Sequence, residues 1–261
     1  MTPQPVLEVT DLALSFGAVT AFEDISFSVD EGELLAVIGP NGAGKTSLFN
    51  VLSCIYRPTG GRIVLRGRDL RRMGVSDLAS AGVARTLQNL GLFRNLSVID
   101  NVLVGRHHLM HSGALRGGLW FGFASREERT HRAAAMEALA FCGIEHVAAV
   151  PVSTLPYGIQ KKVELARALA MEPSLLLLDE PVAGMHASER AEITALVRRL
   201  HAERHLAIVL VEHDMGMVMQ VAQRVVVLDF GRMIADGTPA AVQRDERVIC
   251  AYLGEPLEAT A

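Results

Sequence analysis

Apolar and polar positions change period several times along the chain, and each change predicts an element. Val6–Val9, Leu12–Phe16 and Ile25–Val29 are short apolar-rich stretches punctuated by turn residues, which predicts extended segments. Leu34–Ile38 is an unbroken apolar run that stops at Gly39, a pattern suited to a strand buried on both faces. From Lys45 the spacing turns helical, with Leu48, Leu52 and Ile55 on one face, and Arg62–Arg66 returns to a strand. Ser125 followed by Glu128 has the form of a capping box, and Gly143 is a helix stop, so residues 126–142 are predicted helical. The segment Gly105–Ala124 before it, with five glycines and the aromatic group Trp120, Phe121 and Phe123, reads as a loop or insertion. Further on, Leu175–Leu178 and Ala207–Val211 are buried strands, and Ile193, Leu196, Val197 and Leu200 mark one face of a helix between them. Val225–Leu228 and Met233–Ala235 flank a turn at Phe230–Gly231, a hairpin signal. Strands alternating with helices predict an α/β fold with a mostly parallel sheet.

Composition sets the bounds. A chain of 261 residues with 50% hydrophobic content can bury one large core, or a core plus a lobe. The formal net charge of −4 shows no basic excess and argues against nucleic acid as the main partner. The local cluster Arg66, Arg68, Arg71 and Arg72 reads as a solvated turn region. Cys54, Cys142 and Cys250 are far apart and form no C-x-x-C pair, which fits a reducing cytosol without a disulfide framework or a zinc site. The start, MTPQPVLEVT, has no basic-then-apolar signal pattern. No stretch approaches the roughly 18 apolar residues that span a bilayer. A membrane path would therefore come from another chain.

The sharpest chemical feature is Gly39-Pro40-Asn41-Gly42-Ala43-Gly44-Lys45-Thr46, which fits G-x-x-x-x-G-K-[ST] between an apolar strand and a helix. Triphosphate oxygens are dense in negative charge. Glycines let backbone N–H groups approach them, and the following helix presents the positive end of its dipole. Lys45 is expected to reach the β and γ phosphates, and the Thr46 hydroxyl to bind Mg²⁺. Ser174–Glu180 is an apolar strand ending in two acids. Asp179 is placed to face Mg²⁺, directly or through water, and Glu180 to polarise an attacking water as general base. His213 follows the strand Ala207–Val211 and is expected beside the same site, at the γ phosphate.

These motifs and their order resemble the nucleotide-binding subunits of ABC (ATP-binding cassette) transporters over nearly the whole chain. Gly39–Thr46 is similar to Walker A, with Ser47 adjoining, and Asp179–Glu180 to Walker B. Gln88 corresponds to the Q-loop, Leu155–Gln160 to the signature and His213 to the switch histidine, and Phe16 falls where such proteins stack a ring on adenine. The resemblance implies a P-loop ATPase core with an antiparallel β subdomain and a helical lobe. Residues 1–88 and 166–240 would form the core, 89–165 the lobe with an insertion near 105–125, and 241–261 a helical tail. It implies ATP and Mg²⁺ as cofactors, with Thr46, Gln88 and Asp179 at the metal and Glu180, His213 and Gln88 in catalysis. Pro156, Tyr157, Gly158 and Gln160 would serve the ATP of a second, head-to-tail ATPase subunit, identical or not.

Arg85–Phe93, Asn95–Val98 with Asn101-Val102, the insertion after Gly105 and Ala251–Gly254 look more narrowly like branched-chain amino-acid importers. That branch implies two multi-spanning permease subunits as partners, a solute-binding protein indirectly, no nucleic acid, and a peripheral place on the cytoplasmic face of the membrane. Import of urea, amides or another solute, and a soluble non-transport ABC ATPase, are the alternatives. The latter would show coiled-coil insertions, tandem cassettes or a basic surface, and the sequence has none.

Two positions depart from the family pattern. Pro156 replaces the usual signature serine and offers neither hydroxyl nor N–H, though proline suits the first turn of a helix. His186 replaces an acidic or amide residue after Walker B, either as a harmless change at a subunit contact or as one that alters communication there. His107, His108 and His111 lack neighbouring acids or cysteines and read as surface histidines rather than metal ligands. Trp120, Phe121 and Phe123 fit either local packing or contact with a membrane subunit or lipid.

Overall fold

The computed structural model describes residues 5–87, 90–110 and 121–253, with the backbone alone for 121–126. Gln88, His111, Trp120, Gly254 and the first four residues lie outside the described residues, as do the side chains of Phe121 and Phe123.

Strands β1 (Leu7–Phe16), β2 (Val19–Val29) and β3 (Leu34–Ile38) lead into helix α1 (Lys45–Leu52). β4 (Gly60–Leu65), the short β5 (Arg68–Asp69), the single turn α2 (Val75–Leu78) and β6 (Val83–Arg85) follow. Three helices come next: α3 (Val98–Gly105), α4 (Phe121–Phe141) and α5 (Tyr157–Ala170). The chain continues through β7 (Leu175–Asp179), α6 (Ala187–Arg204), β8 (Ala207–Val211) and α7 (Met215–Val221). It then forms the hairpin β9 (Arg224–Asp229) and β10 (Arg232–Gly237), and the helices α8 (Pro239–Val242) and α9 (Glu246–Leu253).

Two sheets result. One is antiparallel, in the order β2-β1-β4-β5; the other has the order β10-β9-β3-β8-β7-β6. In the second, β6, β7, β8, β3 and β9 all run parallel and only β10 is antiparallel. Every residue of β3, β7 and β8 is buried, which is why these strands read as continuous apolar runs. The two-residue period still sorts their side chains. Leu34, Leu176, Leu178, Ile208 and Leu210 face a core shared with α3, α4, α5 and α6. Leu35, Val37, Leu175, Leu177, Val209 and Val211 face α1 and the antiparallel sheet. Because β3, β6, β7 and β8 are parallel, their carboxyl ends emerge along one edge, where an open α/β sheet holds ligands.

Some boundaries differ from the sequence reading. Val6–Val9 and Leu12–Phe16 belong to one strand, whose register with β2 shifts around Asp11, a residue with φ 47°. The helix α1 ends at Leu52 rather than reaching Ile55, because Cys54 turns left-handed at φ 55°. Helix α4 begins at Phe121, so Ser125 lies within a turn already formed and is no cap. The run Ala124–Arg129 holds good helix formers, and an upstream helix makes the capping alternative redundant. Residues 121–124 are thus helical rather than loop. Gly143 does end the helix, with φ 70°, and Phe230–Gly231 turn with φ 40° and 77°, the pair of positive angles a tight hairpin needs. No helix among the described residues is long and apolar enough to cross a membrane.

Candidate nucleotide site at the strand ends

The phosphate loop leaves β3 at Gly39, whose φ is 150°. A Cβ there would lie 2.0 Å from the Leu228 carbonyl oxygen on the neighbouring strand, so only glycine fits. Gly39→Ala is therefore expected to lower stability by roughly 2–4 kcal/mol or block folding, read as a fall in the thermal midpoint. Gly44, at φ 99°, is the N-cap of α1, whose first turn carries no acidic residue and no side-chain cap. Its leading N–H groups are open to an anion. The Lys45 ammonium donates to the Gly39 and Pro40 carbonyls at 2.7 and 2.8 Å, which holds it over the loop. Burial pushes its pKa down, and the charge of Glu180 opposes that shift, so the two groups share one electrostatic environment. Thr46 is exposed beside it and Ser47 half-buried.

Asp179 ends β7 and is 3% exposed. Its backbone N–H donates to Thr86 Oγ1 at 3.2 Å, and its carboxylate accepts a hydrogen bond from Arg85 Nη2 at 2.7 Å. Arg85, at the end of β6, also reaches Asn50 Oδ1 and Ser53 Oγ at 3.0 and 2.9 Å. It therefore ties the acidic strand end to the last turn of the phosphate-loop helix. The sequence reading assigned Arg85 no role in the site, because the adjacency of β6 and β7 is a long-range fact. Arg85→Ala is expected to cost about 3–5 kcal/mol by leaving the buried Asp179 without its cation, seen as an earlier denaturant midpoint.

Among the described residues no group of three His, Cys, Asp or Glu could hold a metal by itself. The site's donor set is a hydroxyl, Thr46, and a carboxylate, Asp179. That chemistry suits Mg²⁺, which takes one or two protein oxygens and completes its shell with phosphates and water.

Glu180 follows with φ 45°, a left-handed conformation costly for a side chain with a Cβ, and such strain gathers at functional positions. Its N–H donates to the Val211 carbonyl at 2.9 Å, which locks the β7 end against β8. Glu180 Oε1 stands 3.8 Å from His213 Nδ1, and the histidine side chain is 60% exposed. The sequence-predicted loop, acids and histidine thus meet at the ends of β3, β7 and β8.

Phe16 lies elsewhere, at the end of β1, half-exposed and edge-on to Tyr56 with ring centroids 5.3 Å apart. Tyr56 is a second aromatic at this position that periodicity did not single out. Gln88 lies outside the described residues, but its flanks are held by α5. Glu164 accepts from Leu87 N at 2.6 Å, Lys161 Nζ donates to Glu164 at 3.3 Å, and Arg167 donates to the Gly91 carbonyl at 2.6 Å. Burial raises the Glu164 pKa, and Lys161 opposes that shift.

The signature residues form a separate group at the start of α5. Pro156 is the N-cap, with φ −55°. Tyr157 donates its hydroxyl to the Ala183 carbonyl at 3.4 Å, and a Cβ on Gly158 would meet Glu189 Oε1 at 2.8 Å. Gln160 donates its amide to the Leu155 carbonyl at 2.7 Å, bracing the turn. No side chain caps α5 and its first turn has no acid, so this N-terminus also suits an anion. His186 is exposed at the N-cap of α6, its N–H donating to Glu189 at 3.1 Å.

Comparison with known proteins gives the family. Residues 22–183 match the family described as ABC transporter, and residues 232–258 match that described as branched-chain amino acid ATP-binding cassette transporter. The chain is 40% identical to the high-affinity branched-chain amino acid transport ATP-binding protein LivG of Salmonella typhimurium, over 97% of this chain and 99% of that protein. It is 37% identical to BraF of Pseudomonas aeruginosa, which carries the same functional description, again over 97% and 99%. Among solved structures, the ADP conformation of MJ1267, an ATP-binding cassette of an ABC transporter, superposes with a TM-score of 0.81 at 26% identity, covering 97% of this chain and 100% of that one. The family match over residues 22–183, the second match over residues 232–258 and the near-full-length relatives at 37–40% identity place the chain in the ABC transporter family of ATP-binding subunits, in its branched-chain amino-acid branch.

Proposed function

We propose that this chain hydrolyses ATP to drive a membrane importer of branched-chain or related amino acids, from the cytoplasmic face of the membrane. The observation that carries the catalytic part is the convergence of Lys45, Asp179, Glu180 and His213 at neighbouring parallel strand ends. In this reading Gly39–Ser47 cradle the phosphates, and Phe16 packs on the adenine with Tyr56 beside it. Thr46 and Asp179 would hold Mg²⁺ with Gln88, and the ion would neutralise charge on the phosphate oxygens. Glu180 takes a proton from the attacking water, and His213 contacts the γ phosphate.

The signature acts in trans. Pro156 brings no donor, so the open N–H groups at the start of α5, near Tyr157 and Gly158, take the serine's role toward the phosphate of a second ATPase subunit. Gln160 stiffens that turn. Residues 89–165 form the lobe, 1–88 and 166–240 the core and 241–261 a helical tail. The Glu164, Lys161 and Arg167 contacts around residues 87–91 support a lobe that follows the Q-loop. Closure of the two subunits on ATP would move two permease subunits, and a solute-binding protein would deliver the substrate. ATP shifts the pair toward the closed state only by binding it more tightly.

The test is co-purification. Tagged Glu180→Gln chain is recovered from detergent-solubilised membranes with ATP present. Two multi-spanning proteins and an ATPase partner are expected; soluble partners alone would overturn the transport reading.

A further inference from the structure

We propose that Glu212 is a positioning residue for hydrolysis, whose buried carboxylate fixes the exits of β7 and β8 relative to each other. The proposal rests on the roles given above to Glu180 and His213. Glu212 is 0% exposed, a costly place for a carboxylate. Its hydrogen bonds come from backbone on both oxygens, and Oε2 also stands 3.8 Å from His213 Nδ1. Oε1 accepts from Val182 N at 3.1 Å, and Oε2 accepts from His213 N and Asp214 N at 2.9 and 3.0 Å. Val182 lies two residues beyond Glu180 and opens the turn closed by the Met185 N–H on the Val182 carbonyl. His213 and Asp214 begin the loop after β8. One side chain therefore joins the backbone behind the base to the backbone that carries the histidine.

Glu180 and His213 stand 3.8 Å apart, beyond hydrogen-bond distance, and the histidine is mostly exposed. The main chain at the two strand exits sets where both side chains start. The register Asp179↔Val211 brings the two strand exits level, and Glu212 fastens them one residue further on. Only a carboxylate serves all three donors. A glutamine of the same size offers one acceptor oxygen. Turned toward the two donors of the His213 loop, it presents its NH₂ to the Val182 N–H, where two donors repel. Glu212→Gln thus keeps the histidine loop and frees the segment behind Glu180.

The experiment compares the parent, Glu212→Gln, Glu180→Gln and Glu212→Gln/Glu180→Gln as full chains by single-turnover and steady-state ATP hydrolysis. Glu212→Gln is expected to lower kcat at least tenfold with KM for ATP within twofold of the parent. Added to Glu180→Gln, it should change the residual rate less than twofold, because its effect passes through the base. Parental kcat, a KM rising in step with the loss, or an undiminished loss in the Glu180→Gln background would each overturn the proposal. Should Glu212→Gln fail to fold, hydrogen exchange on the parent decides. Amides of Val182, His213 and Asp214 exchanging as slowly as those of β8 would support the brace, and a fast Val182 amide would refute it. Unchanged turnover in both Glu180→Gln and His213→Ala would remove the underlying site assignment. Loss in those variants with none in Glu212→Gln would remove the brace alone.

Discussion

Glu180→Gln is expected to bind ATP at least as tightly as the parent while releasing phosphate on the order of 10²–10³ times more slowly, within the range that a lost general base removes. The substitution keeps the size of the side chain at a left-handed position, φ 45°, so the end of β7 should hold its shape. What it removes is the basic carboxylate that sits near His213 Nδ1 and shares the electrostatic environment of Lys45. Losing one negative charge near the triphosphate lessens repulsion, so affinity does not fall. Phosphate release and binding of a fluorescent ATP analogue, measured on one preparation, separate the two effects. Equal turnover in parent and variant would take Glu180 out of the base role.

Lys45→Ala should lose about 10²-fold in ATP affinity, the scale of one or two charge-assisted contacts to phosphate. The ammonium is already held over the loop by the Gly39 and Pro40 carbonyls, so little ordering cost attends its contact with a phosphate. Lys45→Arg should recover only part of the loss. The planar guanidinium is larger than the point charge that fits between those carbonyls. Titration calorimetry reads both variants; unchanged affinity in Lys45→Ala would contradict the loop assignment.

How much of this was legible in the sequence depended on how local each signal was. Leu34–Ile38, the loop Gly39–Thr46 and the strand before Asp179 were plain, because a buried parallel strand and a phosphate loop are written in consecutive residues. The turn at Phe230–Gly231 was equally local. Arg85, Glu212 and Tyr56 were not found, because each acts through a partner from a distant segment: Asp179, Val182 and Phe16. Their meaning depends on the strand order β3-β8-β7-β6 and on the sheet pairing that places β1 near the end of α1. No spacing rule encodes that. Glu212 did carry a faint signal, an acid directly after a fully apolar strand, yet an acid there is more often the point where a strand meets water. The start of α4 was misplaced for the opposite reason: the capping pattern at Ser125 is a local signal, yet the helix already runs from Phe121. Phe16 and Gln88 came from family resemblance alone.

The most direct test of the whole account is uptake by the reconstituted transporter. The chain is placed in proteoliposomes with the membrane and ATPase partners that co-purify with it, ATP on the chain's side and the solute-binding protein on the other. Accumulation of radiolabelled leucine, isoleucine or valine is followed with parent chain and with Glu180→Gln. The account predicts ATP-dependent accumulation with the parent and none with Glu180→Gln. Accumulation that proceeds equally with Glu180→Gln, or ATP hydrolysis by the parent with no movement of any of the three amino acids, would contradict it.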